Sequence, residues 1–157
     1  MSNAETVSVG PPQGTVVNYA KILKLLESRK VPKIDKSFLK DQAIASGNEP
    51  KFISGMKFLG LIDKDGNATS KMDELCTVGE KRKENLAAIV RSAYSVIFEV
   101  IKLELEKAGP DTLINAFKTD YKMGSVTTAK EGAKIFVFLA QQGGIPLSQQ
   151  ILDNLSV

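Results

Sequence analysis

The sequence contains no histidine and only one cysteine, Cys76, among its 157 residues. These absences exclude Ser-His-Asp and Cys-His nucleophilic systems, histidine-based zinc sites and clusters of cysteine ligands. Cys76 has no second cysteine with which to form an internal disulfide, and its setting between Leu75 and Thr77 is typical of a small core residue rather than a redox sensor. The sequence therefore predicts no catalytic residues, no cofactor and no metal site.

A phosphate-binding loop and a signal peptide are missing as well. Neither glycine-rich stretch, residues 10–14 or 142–144, is followed by the Lys and Ser or Thr that a phosphate-binding loop requires. The first residues lack the basic and apolar regions of a signal peptide. Arg91, Glu99 and Lys102 interrupt the longest apolar stretch, which excludes a membrane span. We therefore expect a cytoplasmic protein with no membrane partner and no small-molecule substrate.

The charge is mildly basic and unevenly distributed. Apolar residues make up 43% and charged residues 25% of the chain, which is typical of a globular protein, and the net charge is +3. Residues 17–78 hold eleven Lys or Arg against eight Asp or Glu, whereas the rest of the chain is nearly balanced. This bias permits binding to a phosphate backbone without requiring it.

The chain divides into three parts. Residues 1–16, rich in glycine, proline and small polar side chains, predict a disordered tail. Residues 17–78 and 84–155 each contain a series of helical apolar patterns and form the two predicted domains. The charged run at residues 80–84 between them is interpreted as a solvated linker.

The first domain has the element order of a winged helix. Helix one carries apolar residues at spacings of three and four, with Lys21, Lys24 and Glu27 on the opposite side. Asp35 is expected to cap a second helix that runs through Ile44, and Asn48 caps a third. Residues 61–69 then read as a small β-hairpin with an Asp-Gly turn. Three short helices followed by a hairpin wing predict a winged-helix-like unit.

The second domain is predicted to be helical and packed on one long central helix. That helix is expected to run from about Glu84 to Lys107, with a wide apolar face. Thr128 and Glu131 have the spacing of a capping box for a later helix, and Ser148 is placed to begin a final short one. The predicted fold class is therefore mainly α.

The outer face of helix three is the candidate binding surface. On a helical wheel Lys51, Ser54, Lys57 and Phe58 lie opposite the apolar core side, and Phe58 is unusual there because it is large and apolar. We interpret Phe58 as covered either by the second half of the chain or by a partner protein. The candidate DNA-binding residues on helix three and the wing are Lys51, Ser54, Lys57, Lys64 and Lys71.

Residues 63–74 imitate a calcium-binding loop. Asp63, Asp65, Asn67 and Glu74 occupy ligand positions one, three, five and twelve of an EF-hand. Ala68, however, stands where such a loop requires glycine, and the chain has no second loop to pair with it. An Asp-Gly turn is the favoured interpretation, and calcium binding is a distant alternative.

Several short sequence motifs resemble those of one known family. Four segments occur in the order seen in the domain-of-unknown-function family DUF5343. They are Lys30-Val31-Pro32, Ser37-Phe38-Leu39-Lys40, the run KFLGLIDKDGNAT at residues 57–69 and the run LAAIVRSAYSVIF at residues 86–98. The resemblance covers about residues 18–144. It implies the helical fold and supplies no catalytic residues.

Two functions remain open from the sequence. The first is a non-enzymatic winged-helix protein that binds double-stranded DNA through phosphate contacts in a regulatory role. The second is a protein-interaction adaptor that docks a protein partner or a second copy on the winged-helix surface, with Phe58 in the contact.

Overall fold

The structure, a computed structural model, describes residues 10–156. The part of the predicted tail formed by residues 1–9 lies outside the described residues. The chain is mainly helical, as predicted. Its α-helices are α1 Val16–Ser28, α2 Lys36–Asp41, α3 Glu49–Phe58, α4 Ser70–Leu75, α5 Gly79–Ala93, α6 Pro110–Asn115, α7 Val126–Gln142 and α8 Gln149–Leu155.

Local capping explains where several helices begin. The Asp35 side chain accepts the Phe38 N–H at 2.8 Å, as the sequence predicted for α2. Ser148 accepts the Ile151 N–H at the start of α8 in the same way. Helix α7 instead uses Ser125 as its cap, which accepts the Thr128 N–H at 3.1 Å, so it begins earlier than the capping-box spacing indicated.

The predicted long central helix is wrong in both of its bounds. Helix α5 begins at Gly79 and ends at Ala93, and a π-helical segment, Val96–Val100, follows it. The Ile101 N–H bonds to the Val96 carbonyl at 2.9 Å, and Lys102 then takes a left-handed backbone with φ of 48°, which reverses the chain. Val100 is consequently 72% exposed instead of lying on the apolar face.

The end of α6 repeats this arrangement. A second π-helical segment, Ala116–Asp120, follows α6, and the Tyr121 N–H bonds to the Ala116 carbonyl at 3.0 Å. Lys122 then has φ of 55°. In both cases the second residue after the π-helical segment is a lysine in a backbone conformation that favours glycine.

No β-hairpin forms among the described residues, so the predicted wing is wrong in its extent. One antiparallel bridge joins Ile62 to Ala68 and another joins Lys33 to Asn67. Asp63 stabilises the turn between Ile62 and Ala68, because its side chain accepts hydrogen bonds from the N–H groups of Asp65 and Asn67 at 2.9 and 3.0 Å. The chain enters α4 at Ser70, which leaves no room for a longer pair of strands.

The last part of the predicted tail, residues 10–15, packs against the body. Pro11 and Pro12 are buried, and the Gly14 N–H donates to the Glu131 carboxylate of α7 at 3.2 Å. A side chain at Gly55 of α3 would lie 3.3 Å from Pro12. Residues 10–15 therefore cross from α3 to α7 instead of projecting into solvent.

The charged run at residues 80–84 lies in the first turns of α5 and is not a linker, and its Arg82 is packed although the other four residues are exposed. Arg82 donates from Nε to the Leu75 carbonyl at 2.8 Å and from Nη2 to the Leu23 carbonyl at 2.6 Å. Its side chain is only 12% exposed, and Nη1 lies 3.7 Å from the Glu27 carboxylate. Arg82 thus joins α5 to α4 and α1.

One hydrophobic cluster includes buried side chains from both halves. Tyr19 and Met56 contribute from the first half, and Tyr94, Phe117 and Phe136 from the second. Helix α7 is buried along most of its length, which makes it the central helix of the second half. Within residues 10–156, no helix is long and apolar enough to cross a membrane.

Candidate functional site

The predicted DNA-binding residues lie on α3, on the turn after it and on α4. Lys51 is exposed in the first turn of α3, whereas Ser54 and Lys57 are half-buried. Lys71 folds over the end of the same helix, with its Nζ 3.2 Å from where a Gly60 Cβ would stand. Lys64 is exposed on the turn after α3. The candidate cations therefore occupy both ends of α3 and the turn, separated by half-buried positions.

Phe58 is covered by the second half of the chain. Its ring lies edge-on to Tyr94, with centroids 5.0 Å apart, and to Tyr121 at 6.0 Å. Of the two alternatives that the sequence left open for this residue, the structure shows the intramolecular cover. The flank of α3 that carries Phe58 is consequently closed by residues of the second half.

Buried tyrosines surround this contact. Tyr19 and Tyr94 are almost fully buried, and their hydroxyls have no hydrogen-bond partner among the described residues. Burial raises the pKa of Tyr94 well above its ordinary value, and the nearby Tyr19 and Tyr121 raise it further. Burial also raises the pKa of Tyr121 to about 12. These side chains belong to the core and offer no ionisable group for catalysis near neutral pH.

The calcium alternative finds no geometric support. The Asp63 carboxylate is used by the turn, where it accepts two backbone N–H groups. Within the described part of the chain, no group of three or more Cys, Asp or Glu side chains is arranged to hold a metal ion. Residues 63–74 are therefore described as a turn followed by α4.

One concave surface lies between α1 and the start of α5. A first hollow of about 600 Å³ is bounded by α1 and by the segment that precedes α3; its lining residues are Lys21, Lys24, Leu25, Glu27, Ser28, Gln42, Ile44 and Val78. A second hollow of about 310 Å³ is lined by Glu27, Val78, Gly79, Arg82, Lys83, Leu86 and Gln142. Because Glu27 and Val78 line both, the hollows form one surface, which we call the α1–α5 groove.

The α1–α5 groove combines a few apolar side chains with a basic rim. Ile44 and Leu86 line it but are buried in the core, so the accessible apolar surface comes from the half-buried Leu25 and from Val78, which stands between the two hollows with 73% of its surface exposed. No sequence pattern indicated this site, because its walls come from segments far apart in the chain.

The cations of the groove are held in defined positions. Lys21 donates from Nζ to the Ala43 carbonyl at 3.1 Å, which fixes it across the first hollow. Ala43 itself has a positive φ of 56°, so this carbonyl is presented by a tight turn after α2. Lys83 lies against Gly144 at the end of α7, where a Cβ would meet its side chain at 2.5 Å. Arg82 is engaged with Glu27 and two backbone carbonyls.

The fold is that of a small, mainly helical protein with an open groove on its surface. The chain belongs to a family of unknown function, DUF5343, whose model matches residues 13–144. This membership confirms the resemblance found in the sequence. Neither a curated protein nor a solved structure matches the chain significantly.

Proposed function

We propose that this protein is a non-enzymatic protein-interaction module and that the α1–α5 groove is its docking surface. The observation that carries the proposal is Val78, an apolar side chain 73% exposed where the two hollows meet, beside the half-buried Leu25 and among charged side chains. Exposed apolar side chains inside a polar rim are the usual anatomy of a protein interface.

The closed flank of α3 supports an interaction role over DNA reading. A helix that enters a major groove needs a free outer face along several turns. Here Phe58 packs on Tyr94 and Tyr121, while Ser54 and Lys57 are half-buried. The exposed part of α3 is limited to its first turns, around Pro50 and Lys51.

Site-specific photocrosslinking tests the proposal. A photoreactive amino acid at position 78, in cells that produce the protein, is expected to form a covalent adduct with a defined protein that mass spectrometry identifies. Position 100 is the matched control, because Val100 is 72% exposed and lies outside the groove. The same adduct from both positions, or no protein adduct from position 78, would overturn the proposal.

The second candidate function is DNA binding by a winged-helix unit with a shortened wing. It is favoured by the bridges at Lys33 and Ile62, which place a short turn beside three helices in winged-helix order. Lys33 and Lys64 are exposed around that turn, and neither forms an ion pair with any described residue. Phosphate contacts from these residues and Lys51 would hold the duplex without reading its sequence.

Fluorescence anisotropy with a labelled random duplex at two salt concentrations separates the two candidates. DNA binding predicts an affinity that falls steeply with salt and is lost in Lys51→Glu and Lys64→Glu. Lys130→Glu on α7 makes the same charge change away from the turn and serves as the control. Absence of binding at low salt would eliminate the DNA candidate and leave the groove proposal intact.

A further inference from the structure

The charges that line the α1–α5 groove are strongly one-sided. Four cations, Lys21, Lys24, Arg82 and Lys83, face a single anion, Glu27. Arg82 lies 3.7 Å from Glu27 and offsets that anion. Three lysine charges therefore remain on the rim, and no described acidic side chain lies within ion-pair distance of them.

The exposed apolar side chains lie among these charges. Leu25 lines the first hollow together with Lys21 and Lys24, and Lys83 lines the second. Val78 is shared by both hollows. A complementary ligand therefore needs apolar side chains in its middle and negative charges on both sides of them.

We infer that the α1–α5 groove binds an acidic peptide segment of a partner protein, in which apolar side chains that contact Val78 are flanked by Asp or Glu. This inference rests on the proposed function and adds the chemistry of the partner. Carboxylates on the segment pair with Lys21, Lys24 and Lys83, and its apolar side chains cover Val78 and Leu25. The pairs on the rim set the orientation and the association rate, and the apolar contact supplies the affinity.

A peptide fits this surface better than a nucleic acid does. Phosphate contacts require cations over a polar surface and gain nothing from Val78 and Leu25, whose burial is favourable only against apolar groups. The two hollows are open and continuous, with volumes of about 600 and 310 Å³, which suits an elongated segment that passes over Val78.

Selection from a displayed library of random peptides tests the inference directly. Peptides enriched on the wild-type chain are expected to contain Asp or Glu on both sides of Leu, Ile, Val or Phe. The enriched peptides are then synthesised with a fluorescent label, and their affinity is measured by anisotropy. Lys24→Glu is expected to weaken binding roughly tenfold through charge reversal, and Val78→Ser roughly fivefold through lost apolar contact.

Two matched controls separate these effects from general changes. Lys130→Glu repeats the charge reversal on α7, and Val100→Ser repeats the apolar change at a site of nearly equal exposure. Both controls are expected to leave the affinity unchanged. Circular dichroism of the groove variants should match that of the wild type, because both substituted side chains are exposed.

The outcomes distinguish the inference from the proposed function. Enriched peptides that depend on Val78 but not on Lys24, or that carry no acidic residues, would overturn the acidic chemistry and leave the interaction role standing. Absence of any enriched peptide, together with no adduct from position 78, would overturn both. Sedimentation velocity measures self-association of the chain. Self-association of the wild type that is lost in Val78→Ser would overturn the acidic segment and show that a second copy of this chain occupies the groove.

Discussion

Arg82 on α5 donates a hydrogen bond from its Nη2 to the backbone carbonyl of Leu23 on α1, at 2.6 Å. The same guanidinium donates from Nε to the Leu75 carbonyl at the end of α4, at 2.8 Å. A planar guanidinium with fixed donors suits this bridging role, which the single ammonium of a lysine does not reproduce. Arg82 therefore fixes the relative position of the helices that form the α1–α5 groove.

Replacement of Arg82 should destabilise the protein. Arg82→Met removes charge-assisted hydrogen bonds from two carbonyls, and we expect the free energy of unfolding to fall by about 2 to 3 kcal/mol. Urea denaturation followed by circular dichroism measures this change. The neighbouring Lys81 is exposed, and Lys81→Met should change stability by less than about 0.5 kcal/mol. Equal effects of the two substitutions would contradict the bridging role.

Removal of the Tyr94 hydroxyl should not destabilise the protein. The hydroxyl is buried and has no hydrogen-bond partner among the described residues, whereas the ring packs on Phe136 with centroids 4.8 Å apart. Tyr94→Phe keeps the ring and removes an unpaired polar group, so we expect a gain of about 1 kcal/mol in the free energy of unfolding. Tyr94→Leu, which removes the aromatic contacts, is the comparison and should lose about 2 kcal/mol or more. A loss of stability in Tyr94→Phe would show that the hydroxyl has a partner.

Stability should fall in alkaline solution. The pKa values of Tyr94 and Tyr121 are raised by burial, the latter to about 12, so above pH 10 these groups ionise more readily in the unfolded chain than in the folded one. The contribution of each such tyrosine to the free energy of unfolding is fully present below the pKa that it has in the unfolded chain. That contribution is lost as the pH rises towards the pKa in the folded chain, at up to about 1.4 kcal/mol per pH unit. Tyr94→Phe should show a shallower decline than the wild type in urea denaturation between about pH 9 and 11. Identical slopes would rule out a raised Tyr94 pKa.

Replacement of Lys102 or Lys122 by glycine should stabilise the protein. Both lysines end a π-helical segment with positive φ values of 48° and 55°, a region that costs a residue with a Cβ about 1 kcal/mol. Lys102→Gly and Lys122→Gly are each expected to raise the thermal midpoint by a few degrees. Lys40→Gly, inside α2, is the opposite case and should lower the midpoint because glycine is a poor helix former.

Gly55 should not tolerate alanine, although it lies inside a helix. A Cβ there would clash with the Tyr19 hydroxyl and would stand 3.3 Å from Pro12. Gly55→Ala is therefore expected to cost about 2 kcal/mol or more through overpacking, against the usual helical gain of about 1 kcal/mol. Ser54→Ala on the same helix should be nearly neutral. A stabilised Gly55→Ala variant would show that residues 11 and 12 do not pack against α3.

Local patterns in the sequence predicted the helical class, the family and several helix ends, because these depend on nearby residues. Asp35 and Ser148 cap their helices as expected, since a cap bonds to an N–H only a few positions away. The sequence also predicted the Asp-Gly turn at residues 63–66, but it did not predict the length of the strands beside that turn. Strand length depends on how soon α4 begins and on pairing with Lys33, which is distant in sequence.

The tertiary structure alone decided which surfaces are open. The sequence placed Phe58 on the outside of α3, but Tyr94 and Tyr121 cover it, because their segments fold back over that flank. It placed Lys21 and Lys24 on the solvent side of α1, which is correct, yet gave no indication that Ile44 and Val78 stand beside them. A helical period fixes the direction in which a side chain projects from its own helix, whereas the neighbour that it meets depends on packing between segments far apart in the chain.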